Sequence, residues 1–155
     1  MNLGAPHLHL MLNHLPVLAA PFALALGAIG WWRHQDVLMH AALATLVVVG
    51  ASGWAAHWTG EEAEEVVEEL DGVSHQRIHE HEEAAEGAMY GGLVVGALAA
   101  ILLWAGRRRA LHRGAVAVLL ILTALLSGWL AYTANLGGEI RHPEIRPPGE
   151  KRGTG

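Results

Sequence analysis

Four long apolar runs limit what this chain can fold into. They cover approximately Leu8 to Trp32, Val37 to Trp58, Ala84 to Ala105 and Ala115 to Leu136. Each is at least about 20 residues, enough for an α-helix to cross the roughly 30 Å of hydrocarbon in a bilayer. Lipid offers no partners to backbone N–H and C=O groups, so a segment spanning it must satisfy them internally as helix or closed barrel. Continuous apolar runs of this length, without period-two alternation, read as helices. In a chain of 155 residues with 52% hydrophobic content, the runs leave room only for connections and a tail. The expected fold is therefore all-α: an integral membrane four-helix bundle over residues 1–146. The stretch 147–155 has too little apolar surface to order and reads as a disordered tail.

Charge and cysteine narrow the function. The absence of cysteine excludes disulfides, thiolate metal sites and covalent c-type haem attachment. The net charge of -5 comes from acids gathered between the second and third runs, and no basic face is available for nucleic acid. Arg33 lies in the first connection and Arg107, Arg108, Arg109 and Arg113 in the third, whereas the second holds only Arg77. Basic connections stay on the cytoplasmic side. That rule places both termini and the acidic loop outside, in a multi-pass protein of a bacterial inner membrane. No Lys or Arg precedes the first run, so it reads as a retained anchor and not as a cleavable leader.

In that orientation His7, His9, His14, His57, His75, His79, His81 and His142 lie toward the outer side, and His34, His40 and His112 toward the inner. An ionisable group near the membrane edge is costly and usually has a partner or a task. At 100° per residue, His7 and His14 fall about 20° apart on one face with Pro21, Ala25 and Ala28, while His9 points about 140° from His14. His81 aligns with Ala85, Ala88 and Gly92, and His79 joins His75, Glu82, Glu83 and Glu86 on a wet face. Gly87, Gly91, Gly92 and Gly96 form two G-x-x-x-G pairs that permit close helix contact or leave room for a flat group. The expected site pairs His14 with His81, with His9 and Asn135 at the same level.

Two neutral imidazoles from different helices suit a b-type haem in an electron-transfer subunit. Two other readings compete with it. Zinc, copper or iron would take imidazole together with oxygen from nearby glutamates. A cofactor-free accessory or structural subunit would use the same residues for packing, proton handling or docking. Expected partners are the lipid bilayer, other membrane or periplasmic redox subunits, or a quinone at the mouth. No nucleophile with a base, phosphate loop or catalytic carboxylate pair stands out, so an independent enzyme is not expected.

Local signals add detail. Thr59-Gly60-Glu61-Glu62 has the spacing of a capping box. It predicts a short amphipathic helix in the outer loop, over Glu61 to Leu70, with Asp71-Gly72 as its stop. Ser74 is placed to cap the helix that follows, and Asn135 to Glu139 reads as a turn over the mouth.

The opening His9-x-x-x-x-His14-x-Pro16, together with Tyr132-Thr133 and the closing Gly137-Gly138-Glu139, resembles a family of uncharacterised four-helix bacterial membrane proteins. Leu10 stands where a proline often follows the first histidine, and Asn135 where histidine can occur. The resemblance implies the four-helix architecture and carries no activity with it.

Overall fold

The computed structural model describes residues 4–68, 73–142 and 144. Four helices follow in order: α1 (Ala5–Arg33), α2 (Asp36–Glu68), α3 (His75–Gly106) and α4 (Arg113–Arg141). Each is long and apolar enough to cross a membrane. α1 packs on α2, α2 on α3, α3 on α4, and α4 back on α1, so α1 and α3 stand on a diagonal. The start of α1, the end of α2, the start of α3 and the end of α4 lie at one end of the bundle, here called the mouth. The two short connections form the base.

The packing faces follow an alternating spacing of four and three residues. On α1 the buried positions are Pro16, Ala20, Ala23, Gly27 and Gly30, and on α4 they are Val116, Leu119, Thr123, Leu126, Leu130 and Thr133. That spacing keeps one stripe facing its neighbours in a near-parallel bundle. α2 and α3 meet at backbone distance where a Cβ added to Gly50 would lie 2.9 Å from the carbonyl oxygen of Gly92. Leu18, Phe22, Val94, Ile101, Ile121 and Leu125 are exposed, as side chains facing hydrocarbon should be. Thr123 is completely buried among apolar neighbours, and its hydroxyl donates to the Leu119 carbonyl at 2.8 Å. No polar atom is stranded there.

The base is closed by a reciprocal clamp. Trp31 Nε1 donates to the Arg113 carbonyl at 3.1 Å, the Arg113 guanidinium donates to the Trp31 carbonyl, and the guanidinium lies 5.0 Å from the indole centroid. The α1–α2 turn is tight because His34 takes the left-handed conformation, at φ 55°. Polar residues other than glycine tolerate that conformation at a helix end.

Three local expectations are corrected. The separate amphipathic helix does not form, because α2 runs without a break through Thr59 and Glu61 to Glu68. Thr59 donates to the carbonyls of Ala55 and Ala56 in its own helix, at 3.0 and 3.1 Å, and so caps nothing. The amphipathic pattern survives as the last turns of α2, where Ala63 is buried while Glu61 and Glu62 are exposed. Asn135 to Glu139 is helical, not a turn, and Asn135 Nδ2 donates to Glu139 Oε1 one turn later at 2.7 Å. Ser74 occupies the N-cap of α3, but its carbonyl, not its side chain, takes the first amides. Leu70, Asp71-Gly72 and the tail 147–155 lie outside the described residues.

Candidate functional site

The packing stripe of α1, extended outward from Gly30 through Gly27, Ala23, Ala20 and Pro16, reaches Asn13 and then His9. The stripe of α3 passes through Gly92, Ala88 and Ala85 to His81 and Ile78. Two imidazoles on diagonal helices are thus turned into the mouth by the register that packs the bundle. Their ring centroids are 6.5 Å apart, with planes at 86°.

Each ring is held by the helix that follows its own. His9 donates from Nδ1 to the Ala56 carbonyl of α2 at 2.9 Å, and His81 donates from Nδ1 to the Thr133 carbonyl of α4 at 3.0 Å. A carbonyl only accepts, so Nδ1 carries a proton in both rings, and in the neutral ring it is Nε2 that has the free lone pair. This outer hydrogen bond is the one that metal-ligating histidines make, because it fixes the tautomer and ring orientation and strengthens the other nitrogen as a donor.

Glycines stand beside both rings. A Cβ at Gly60 would lie 3.1 Å from His9 Cε1, and one at Gly137 would lie 3.0 Å from His81 Cε1. Any side chain at either position would press on the imidazole. Gly60 comes four residues after Ala56, and Gly137 four after Thr133, so each ring rests against one turn of its neighbour.

A charged layer lies on the terminal side of His81. Arg77 Nη1 is 2.7 Å from Glu80 Oε2 and 3.3 Å from Glu139 Oε2, and Glu139 is only 6% exposed. With Asn135 on its other oxygen, Glu139 ties the end of α4 to the start of α3. Deeper along the same α3–α4 contact, Trp129 Nε1 donates to the Ala84 carbonyl at 2.9 Å and its ring packs where Gly87 has no side chain. Asn13 Oδ1 is buried without a hydrogen-bond partner among the described residues.

The structure joins His81 to His9, not to His14. His14 is exposed on the outward face of α1, where Nδ1 donates to its own helix at the Leu10 carbonyl, 2.6 Å away. His7, Pro21, Ala25 and Ala28, which share that face, are exposed as well. Asn135 is also exposed and serves Glu139. His79 lies on the wet face within 3.6 Å of Glu82 and 3.4 Å of Glu83, and His57 within 3.5 Å of Glu61. At the base, His40 donates to the Asp36 carbonyl and His112 accepts from the Ala115 amide, so each serves its own helix. Among the described residues, no group of three or more His, Asp or Glu side chains is arranged to hold a metal ion.

The chain matches no family model, no curated protein and no solved structure.

Proposed function

We propose that this chain is a small electron-transfer subunit of a bacterial inner membrane, holding a b-type haem between His9 and His81 at its outer face. The observation that carries the reading is the facing pair of Nδ1-anchored imidazoles. Two metal–nitrogen bonds of about 2.0 Å, plus about 1.1 Å from each nitrogen to its ring centre, would put the ring centres up to about 6.2 Å apart across one metal. The separation here is 6.5 Å.

The donor set favours haem over a bare ion. A porphyrin brings its own nitrogen donors to the iron, so two protein imidazoles, His9 and His81, would be enough to hold it. Zinc bound by protein alone takes four ligands, and no third His, Asp or Glu joins the pair among the described residues. When bound, the group supplies one-electron redox chemistry. The chain's own contribution is to hold both rings through the Ala56 and Thr133 carbonyls. Gly60 and Gly137 carry no side chain, so each imidazole lies directly against the neighbouring helix.

The basic connections at the base support a cytoplasmic base and an outward mouth. A partner on the outer side, periplasmic or in the membrane, would then exchange electrons at the mouth.

The test is a visible spectrum and metal analysis of detergent-purified protein. A Soret band with a sharp reduced α-band is expected, lost in His9→Ala and in His81→Ala but kept in His14→Ala. A band that survives loss of either His9 or His81 overturns the assignment. Metal without that spectrum replaces haem with a bare ion, and protein with neither is a cofactor-free subunit.

A further inference from the structure

The base of the bundle gathers cations that the protein does not neutralise. Residues 30–40 and 104–116 hold five arginines against one carboxylate, Asp36. Arg107, Arg108 and Arg109, in the connection from α3 to α4, are exposed and form no ion pair or side-chain hydrogen bond among the described residues. The diagonal corner, at the end of α1, differs. There Arg113 and Trp31 serve each other, and the Arg33 guanidinium lies 5.9 Å from the Trp32 ring centroid.

An indole stands one turn inside the unpaired arginines. Trp104 is 71% exposed, and its Nε1–H meets no acceptor among the described residues. Arg107 keeps helical backbone angles, φ -63° and ψ -28°, so Arg107 and Arg108 come three and four residues after Trp104 on its own side of α3. They lie about 4.5–6 Å further along the axis. Leu93, Ala97 and Ile101 fall within about 60° of Trp104 on the same helix and are exposed as well.

From the middle of the membrane outward, this face of α3 therefore presents apolar side chains, then an indole donor, then guanidinium donors. A glycerophospholipid has the matching layers in the same order: acyl chains, ester carbonyls and phosphate. The polar groups of the protein here are all donors, and esters and phosphate offer acceptors. A headgroup ending in an ammonium would add a cation to arginines that already lack a counter-charge, whereas a headgroup of net negative charge would supply one.

We propose that the end of α3 binds an anionic glycerophospholipid, its phosphate held by Arg107 and Arg108, an ester carbonyl accepting from Trp104 Nε1, and an acyl chain lying along Ile101, Ala97 and Leu93. The site is at the opposite end of the molecule from the imidazole pair and does not depend on it.

The test is native mass spectrometry of the full chain released from mixed micelles containing equal amounts of dioleoyl-phosphatidylglycerol and dioleoyl-phosphatidylcholine, where orientation in a membrane plays no part. Wild type should retain phosphatidylglycerol in preference to phosphatidylcholine. Arg107→Gln with Arg108→Gln should weaken phosphatidylglycerol binding about thirtyfold, roughly fivefold for each arginine. Trp104→Phe should weaken both lipids alike and by a smaller factor, because the ester carbonyl is common to them. Arg33→Gln should leave binding unchanged. Equal retention of the two lipids by wild type overturns the proposal. So does a loss in Arg33→Gln as large as in the double variant, since the lipid would then answer only to total charge. Release of the lipid by inorganic phosphate at constant ionic strength would mean a phosphate site that needs no lipid and would overturn it too. His9→Ala should retain phosphatidylglycerol like wild type, so haem-free protein that keeps the preference would uphold this site while the haem reading failed.

Discussion

The contact between α2 and α3 predicts opposite fates for two substitutions that look alike. A Cβ at Gly50 would lie 2.9 Å from the Gly92 carbonyl oxygen and 3.4 Å from the Gly96 Cα, whereas one at Gly92 meets nothing closer than the Gly50 Cα at 3.9 Å. The first is an overlap with backbone, which no rotamer change relieves, so the helices must move apart by several tenths of an ångström. The second is ordinary van der Waals contact. Both glycines sit in helix interiors, so both gain the same helix propensity on changing to alanine, up to about 1 kcal/mol. That gain cancels when the two variants are compared. What remains is the cost of forcing a packed interface open, about 1–3 kcal/mol. Gly50→Ala should therefore be less stable than Gly92→Ala by about 1–3 kcal/mol, on the order of ten- to a hundredfold in the unfolding equilibrium. The assay is reversible unfolding in mixed micelles of increasing SDS fraction, followed by helix and tryptophan signals. If Gly50→Ala is as stable as Gly92→Ala, the backbone contact has been misread.

Two further outcomes follow from the mouth. Arg77→Met removes the guanidinium 3.3 Å from the buried Glu139 carboxylate and should destabilise the protein, by up to about 3–5 kcal/mol, while Arg77→Met with Glu139→Leu should recover much of that loss; a double variant no better than the single one refutes the pairing. Gly60→Ala and Gly137→Ala place a methyl 3.1 and 3.0 Å from the His9 and His81 rings. Each should shift the imidazole nitrogen resonances of its own ring in labelled protein and leave the other ring's in place, and a shift of both or neither by one variant refutes the assigned contacts.

The four helices were legible because nothing but helix suits uninterrupted apolar runs of that length in lipid. The start of α3 was legible too, since the helix expected after Ser74 begins at His75 and runs unbroken into the third apolar run. The end of α2 was not: the second run stops near Trp58, yet α2 continues to Glu68. Glutamates are good helix formers, and Thr59 satisfies its hydroxyl on its own helix, so nothing ends α2 at the membrane edge. The site was half legible. His81 was placed correctly on the packing face of its helix, but α1 offers two faces with small residues. Pro21, Ala25 and Ala28 accompany His14, while Pro16, Ala20, Ala23, Gly27 and Gly30 accompany His9. Both sets recur at heptad spacing, but Leu18 interrupts the first, whereas every step of the second from Pro16 to Gly30 is proline, alanine or glycine and lets neighbouring helices approach along its whole length. The carbonyls of Ala56 and Thr133 left no signal, since every residue has one. Gly60 and Gly137, four residues beyond them, were the visible trace of where a ring lies against a backbone.

Those two glycines bear on how the mouth is built. α1 with α2 and α3 with α4 are two hairpins that both start and finish at the mouth. In each, a histidine on the first helix donates to a carbonyl on the second and rests against the glycine one turn later. The segments Gly60-Glu61-Glu62 and Gly137-Gly138-Glu139 occupy the same place in their hairpins. His9 thus corresponds in role to His81, Ala56 to Thr133 and Gly60 to Gly137. Two such hairpins turned toward each other bring their imidazoles together at the mouth from diagonal helices, with ring centroids 6.5 Å apart. The exceptions mark where the halves differ. Counting from its histidine, Asn13 takes the place of Ala85, and counting from its glycine, Ser52 takes the place of Trp129. The first hairpin is thus smaller and more polar just beneath its ring, while the second is filled by an indole bonded to Ala84.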